Sequence, residues 1–330
     1  AAATIEVQGL VLAAAFGWAA VGPPLVQADG GAAVSHHAAT ATGACHDTVA
    51  IEFQTNWRSV ADEGTRTYGP EGVGYVQISP PQESIPGTPW WTSYQPVSYT
   101  LDSKLGTERE FTDMIATCKA AGVGIIADAV INHTTGVDQG SGKGTAGNTY
   151  DADGNFPGIP FTAQNFHSCT KNIGDYTNAD EVQNCRLTGL QDLDTSQPYV
   201  QGKIADYLCR LLKLGVYGLR VDAVKHIANA DVAAIKHLLA ERTGRNADDI
   251  FFEQEVIGNR SEAKEIQPVN YLANGKVSEF NFTNHLSAAF SGDIADKAKG
   301  LSQVGSEDWV DSSKAAVFVT NWDTERGSAL

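Results

Sequence analysis

Three carboxylates close three short hydrophobic runs: Asp222 after Gly218-Leu219-Arg220-Val221, Glu255 after Phe251-Phe252-Glu253-Gln254, and Asp323 after Val317-Phe318-Val319-Thr320-Asn321-Trp322. Each run is β-branched or aromatic, as a buried strand requires, and each acid falls at or just past the strand's end. A parallel (β/α) barrel gathers catalytic groups in this way, from several strand ends on one face. Two carboxyl groups about 5 to 5.5 Å apart suit a retaining glycosidase, in which one attacks the anomeric carbon and the other protonates the leaving oxygen. Neighbouring parallel strands lie about 4.8 Å apart, so Asp222 and Glu255 can reach that spacing. Arg220, two residues before Asp222 on the same face, would hold Asp222 ionised, and shelter beyond Phe251 and Phe252 would raise the proton affinity of Glu255. Glu253 competes for the same role, because periodicity does not say which of the two faces the pocket. Taken alone, Asp222 reads as a helix cap; the co-occurrence of three such runs favours chemistry.

The elements that must position these acids alternate. Strands are expected at 49–53, 73–78, 123–130, 216–221, 250–253, 277–282 and 315–319, with helices at 57–67, 107–121, 198–214, 231–242 and 284–299. Thr107 and Glu110 have capping-box spacing, and Ile204, Leu208, Leu211 and Leu212 follow a helical period. The beat stops over 134–190, a stretch rich in Gly, Asn, Asp and Thr that is too long for an ordinary βα loop. The fold class is therefore α/β: a (β/α)8 TIM barrel with an irregular subdomain inserted after strand 3 and cut short before strand 8. The segments are a leader and low-complexity stretch at 1–44, barrel at 45–133, the inserted subdomain at 134–190, and barrel again at 191–330.

Lys and Arg number 23 against 39 Asp and Glu, a net charge of −16. Such a surface repels phosphate backbones and anionic lipid, so neither nucleic acid nor membrane is expected as a partner. The apolar segment from Val7 to Ala20, followed by Gly22-Pro23-Pro24, resembles a secretion signal entered partway, since the first Lys or Arg is Arg58 and no initiator Met precedes it. A secreted, extracellular monomer is the expectation. Five cysteines cannot all pair, and Cys169 with Cys185 flank a turn-rich loop whose closure would stabilise by roughly 3 kcal/mol. His36, His37, Cys45 and His46 lack paired metal-ligand spacing. Gly140 to Thr145 is only superficially a phosphate loop, with no preceding strand and with Gly after Lys143.

Asp128-Ala129-Val130-Ile131-Asn132-His133, Gly218 to His226, Gln254-Glu255-Val256-Ile257 and Phe318 to Asp323 stand in this order. Together they resemble the four signature regions of the α-amylase family of glycoside hydrolases. The likeness extends through Gln77 to Pro81 and Trp90 to Tyr99, covers roughly residues 47 to 327, and is nearest to secreted actinobacterial and animal-type members. It implies Asp222 as nucleophile, Glu255 as general acid/base in preference to Glu253, and Asp323 as the acid that stabilises the transition state. It implies sugar contacts from Trp90, Trp91, Tyr94, Gln95, His133, Arg220, Lys225 and His226. It also implies calcium, held by Asn132, Asp192 and the main-chain carbonyl of His226, and raises chloride at Arg220 and Asn321. The substrate implied is a starch-like α-glucan, cleaved internally at α-1,4 links; a non-catalytic glucan-binding fragment and a transglycosylase of the same family are the alternatives.

The resemblance has departures. Trp322 stands where most members carry a histidine, Leu219 replaces a Phe, and Gly64 stands where close relatives have a cysteine that would pair with Cys118. Cys118 is therefore expected as a buried free thiol.

Overall fold

The computed structural model describes residues 47–290 and 310–326. The leader-like segment, the His36, His37, Cys45 and His46 set, and the end of the expected helix 284–299 lie outside them. Seven strands form one sheet: β1 (Val49–Glu52), β2 (Tyr75–Ile78), β3 (Gly124–Ala129), β4 (Gly218–Val221), β5 (Phe251–Gln254), β6 (Lys276–Ser278) and β7 (Ala315–Ala316). They lie in sequential order and all neighbours are parallel, with β1 and β7 at the edges. This is the strand order of a (β/α)8 barrel.

Parallel pairing requires crossovers: helices α1 (Trp57–Glu63), α2 (Glu108–Ala120), α3 (Pro198–Lys213), α4 (Asn229–Thr243) and α5 (Phe280–Phe290) supply five of the six, and the 3-10 turns Lys264–Ile266 and Pro268–Tyr271 lie in the connection from β5 to β6. Helix α2 starts at the capping box read from the sequence, with Glu110 N donating to Thr107 Oγ1 and Thr107 N to Glu110 Oε2. Pro198 opens α3, and Ile204, Leu208 and Leu211 on its inner face are fully buried. Between strands and helices lies one core that includes Val76, Ile78, Ile125, Leu219 and Phe252. At Gly218 the backbone passes so close to β5 that a Cβ would lie 2.6 Å from that of Phe251, so no side chain fits.

Two expectations are corrected. Residues 280–282 are the first turn of α5, not the end of β6. The Glu279 carboxylate accepts the amide of Asn281 at 3.0 Å, and this start signal overrides the strand-like Phe-Asn-Phe alternation. Strand β7 is two residues long, and Val317 and Val319 beyond it are 51% and 63% exposed.

Between β3 and β4 the chain leaves the barrel. His133–Gly136 pairs antiparallel with Leu190–Asp192 at the root of this excursion, and Gly142–Lys143 pairs with Thr149–Tyr150 farther out. Cys169 and Cys185 are joined by a disulfide. Glu83, fully buried, accepts from the amides of Ala146 and Asn148 at 2.9 and 3.0 Å and so ties the outer loop to the segment after β2. Cys118 is a buried free thiol, and a Cβ on Gly64 would lie 2.7 Å from its sulfur.

Candidate active site

Strand register explains which side chains meet. Asp128 on β3, Arg220 on β4 and Glu253 on β5 are direct register partners and therefore project into one layer of the barrel interior. Arg220 Nη1 lies 2.8 Å from Asp128 Oδ1 and 2.7 Å from Asp222 Oδ1, and its Nη2 lies 2.7 Å from Glu255 Oε1. One guanidinium, only 3% exposed, thus holds three carboxylates. Buried charges are tolerable when they are paired and hydrogen-bonded in this way. Glu255 Oε2 also accepts the amide N–H of Ala223 at 2.8 Å. That amide is presented by a sharp turn off β4, where Ala223 adopts φ 51°, an uncommon conformation for a residue with a side chain. Glu253 sits one layer deeper and accepts from Ser278 Oγ at 2.7 Å, which leaves Glu255 at the mouth.

The electrostatics differ from the expectation for Asp222. Burial raises its carboxyl well above the usual range, the charge on Glu255 adds to this, and the opposing pull of Arg220 does not offset them. Asp128 is likewise pushed up to about 6, by burial first. Burial opposes the charge on Arg220, but Asp128, Glu255 and Asp222 outweigh it and keep the guanidinium protonated.

Trp90 and Trp91 are each 40% exposed, and Trp90 meets the Tyr94 ring edge-on at 5.8 Å. Tyr94 donates its hydroxyl to Asp128 Oδ2 at 2.8 Å, which joins the aromatic surface to the carboxylate cluster. Gln95 Oε1 accepts the amide of Gly136 and so fastens the root of the excursion. His133 Nε2 lies 2.9 Å from the Tyr94 carbonyl, and His226 Nδ1 lies 3.2 Å from that of Val182. Burial lowers both imidazoles to about 4. Lys225 pairs with Glu262 and lies 5.8 Å from the Tyr176 ring centre. Asn321 Oδ1 accepts the amides of Asp323 and Thr324 at 3.0 Å each, capping the short helix α6 (Trp322–Arg326) and setting Asp323 in its first turn.

A model of the alpha-amylase catalytic domain matches residues 90–268. An α-amylase of Streptomyces violaceus is 42% identical over 281 residues, 85% of this chain and 47% of its own length. One of Tenebrio molitor is 42% identical over 283 residues, 83% of this chain and 58% of its own. The chain belongs to the α-amylase family. It spans about half the length of these curated relatives. Among solved structures, a glutamate-to-glutamine variant of α-amylase I from Eisenia fetida, in complex with maltohexaose, superposes with a TM-score of 0.76. The identity is 35%, over 85% of this chain and 59% of that one.

In this α-amylase family member several contacting residues carried no separate sequence signal. Asp128 lies within a signature region but shows its partners only once β3 and β4 are in register. Glu262, Tyr176 and Phe53 are brought in by loops. The residues expected to hold calcium include oxygen donors: the Asp192 carboxylate is buried, and Leu193 N donates to the Asn132 carbonyl at 3.0 Å, while the Asn132 amide nitrogen lies 3.2 Å from His133 Nδ1. Hard oxygen donors of this kind fit calcium. His167, which the sequence reading did not single out, also lies 2.7 Å from Asp192 Oδ2. For chloride the fit is poorer. Arg220's terminal nitrogens already face three carboxylates, which offset its charge, so no step below draws on an anion.

Proposed function

We propose that the chain hydrolyses internal α-1,4-glucosidic bonds of starch, glycogen and maltooligosaccharides with retention of anomeric configuration. The observation that carries this reading is the grip of one guanidinium on both Asp222 and Glu255. Acids held on neighbouring nitrogens lie within a few ångströms of each other, which suits a retaining pair; an inverting pair leaves a gap of about 6.5 to 9.5 Å for water. Family membership adds the substrate class.

Asp222 attacks the anomeric carbon while Glu255 gives its proton to the departing glycosidic oxygen, leaving a glycosyl ester on Asp222 and a free 4-hydroxyl on the leaving glucan. Glu255, now ionised, takes a proton from water, whose oxygen displaces Asp222. The cycle needs one proton on the pair at its start. Close like charges in a buried site favour that state over two ionised carboxylates. Asp323 stabilises the oxocarbenium-like transition state, Trp90 and Trp91 offer flat apolar faces to glucose rings, and His133, Lys225 and His226 contact sugar hydroxyls. Calcium belongs to the same reading: held by oxygens of Asn132, Asp192 and the His226 carbonyl, it would pin the excursion to the barrel. We infer likewise a secreted monomer, in keeping with the Cys169–Cys185 disulfide.

The test is release of reducing ends from soluble starch, with calcium present, by the chain and by Glu255→Gln, with the product anomer followed by NMR. Release of the α-anomer that disappears in the variant is expected. Undiminished release from the variant, or the β-anomer appearing first, would sink the assignment.

A further inference from the structure

Trp322 is nearly buried, 4% exposed, yet it is not ordinary core. On one side its ring stacks on Phe53, with centroids 5.1 Å apart and planes 23° apart. It also covers Arg220, whose guanidinium carbon lies 5.3 Å from the ring centre, within the range of a cation–π contact. Phe53 in turn lies 5.9 Å from Trp90, Trp90 meets Tyr94, Tyr94 donates to Asp128, and Asp128 pairs with Arg220. The contacts close a ring that runs from the exposed tryptophan surface to the cation between the two acids and back.

We propose that Trp322 is a positioning residue: seated on Phe53, its ring holds the Arg220 guanidinium in the plane from which that cation spaces the Asp222 and Glu255 carboxyls. The proposal rests on the retaining-hydrolase reading for its effect on rate, but not for its effect on the carboxylate cluster. The physical reason is directional. A guanidinium makes in-plane hydrogen bonds with its edges and is attracted to an aromatic ring through its face, so the two contacts do not compete. The charged and titratable groups that face Arg220 are Asp128 from β3, Asp222 at the end of its own strand, and Glu253 and Glu255 from β5 and beyond it. Tyr94 joins them through Asp128. Loosening the cation shifts the pH at which this set takes up protons, whereas loss of ordinary packing lowers stability equally at every pH.

The experiment compares the wild-type chain with Trp322→Phe, which keeps a ring, and Trp322→Leu, which keeps only bulk. Two readouts are followed: thermal midpoint against pH, and the pH profile of starch hydrolysis split into kcat and KM. Trp322→Phe is expected to follow the wild type. Trp322→Leu is expected to change the shape of the midpoint curve across the carboxylate range, to lower kcat at least tenfold with KM within about twofold, and to move one limb of the rate profile by half a pH unit or more. A uniform drop in midpoint with unchanged kcat, or a rise confined to KM, would overturn the proposal. Should wild type release no sugar while the midpoint curves differ as described, the hydrolase reading fails and the positioning role stands. Superimposable curve shapes with active wild type fail the positioning role alone.

Discussion

The wall formed by β3, β4 and β5 and the edge formed by β6 and β7 are built from similar sequence and end differently. On the wall, Val221 and Phe252 are buried, register aligns Asp128 with Arg220 and Glu253, and a single cation ties three acids together. At the edge, β7 holds two residues, and the equally β-branched Val317 and Val319 face solvent. Register and cover on both sides turn the wall's hydrophobic runs into positioning devices. Asp323 therefore depends on local means, the Asn321 cap and the seating of Trp322, where Asp222 and Glu255 depend on the sheet.

The strongest way to break this contrast is to remove the acid at the wall. Glu255→Gln should cut reducing-end release by about 10²- to 10⁴-fold, the usual worth of a general acid, with little change in the thermal midpoint. A loss below tenfold would assign the proton transfer elsewhere. Arg220→Met probes the clamp itself: the buried Asp128 and the partly buried Asp222 and Glu255 lose their cation, so chemical denaturation should report a loss of roughly 3 to 5 kcal/mol at neutral pH, relieved as the acids are protonated. A variant as stable as the wild type would show that the clamp is dispensable.

Acidification sharpens the comparison from the histidines beside the wall. His133 and His226 are lowered to about 4 by burial, against about 6.5 in an unfolded chain. Between those values the unfolded state binds more protons, so stability falls as pH drops from about 6.5 toward 4. At pH 5 the loss is about 2 kcal/mol for each histidine, and His133→Gln should remove one share of the slope in melts between pH 7.5 and 5. The smallest effects belong to the edge. Val319→Ala should change stability by under about 0.5 kcal/mol, because the side chain is already 63% exposed. Phe252→Ala, its counterpart in the wall at 1% exposure, should cost about 3 to 5 kcal/mol. Comparable costs for the two would erase the distinction.

Much of this was legible in the chain. The seven hydrophobic runs, the capping box at Thr107 and the turn-rich excursion each carry a local signal, and local signals survive without knowledge of the fold. The start of α5 did not, because Phe280-Asn281-Phe282 alternates like a strand and the deciding contact comes from Glu279 just before it. Glu253 and Glu255 were equivalent by periodicity because residues two apart on a strand share a face. Only their depth separates them, and depth is set by Ser278 on β6 and by the Ala223 amide.

What the sequence alone determined is the set of strands, their order and the carboxylates at their ends, because hydrophobic period and strand-end chemistry are properties of short stretches. What the tertiary structure decided is partnership: that Arg220 faces three acids, that burial and Glu255 rather than Arg220 govern Asp222, and that Trp322 lies against Arg220 and Phe53. Those outcomes depend on distances between groups as many as 269 residues apart in the chain, as Phe53 and Trp322 are. Such distances exist only once strands pair and exclude water from the charges between them.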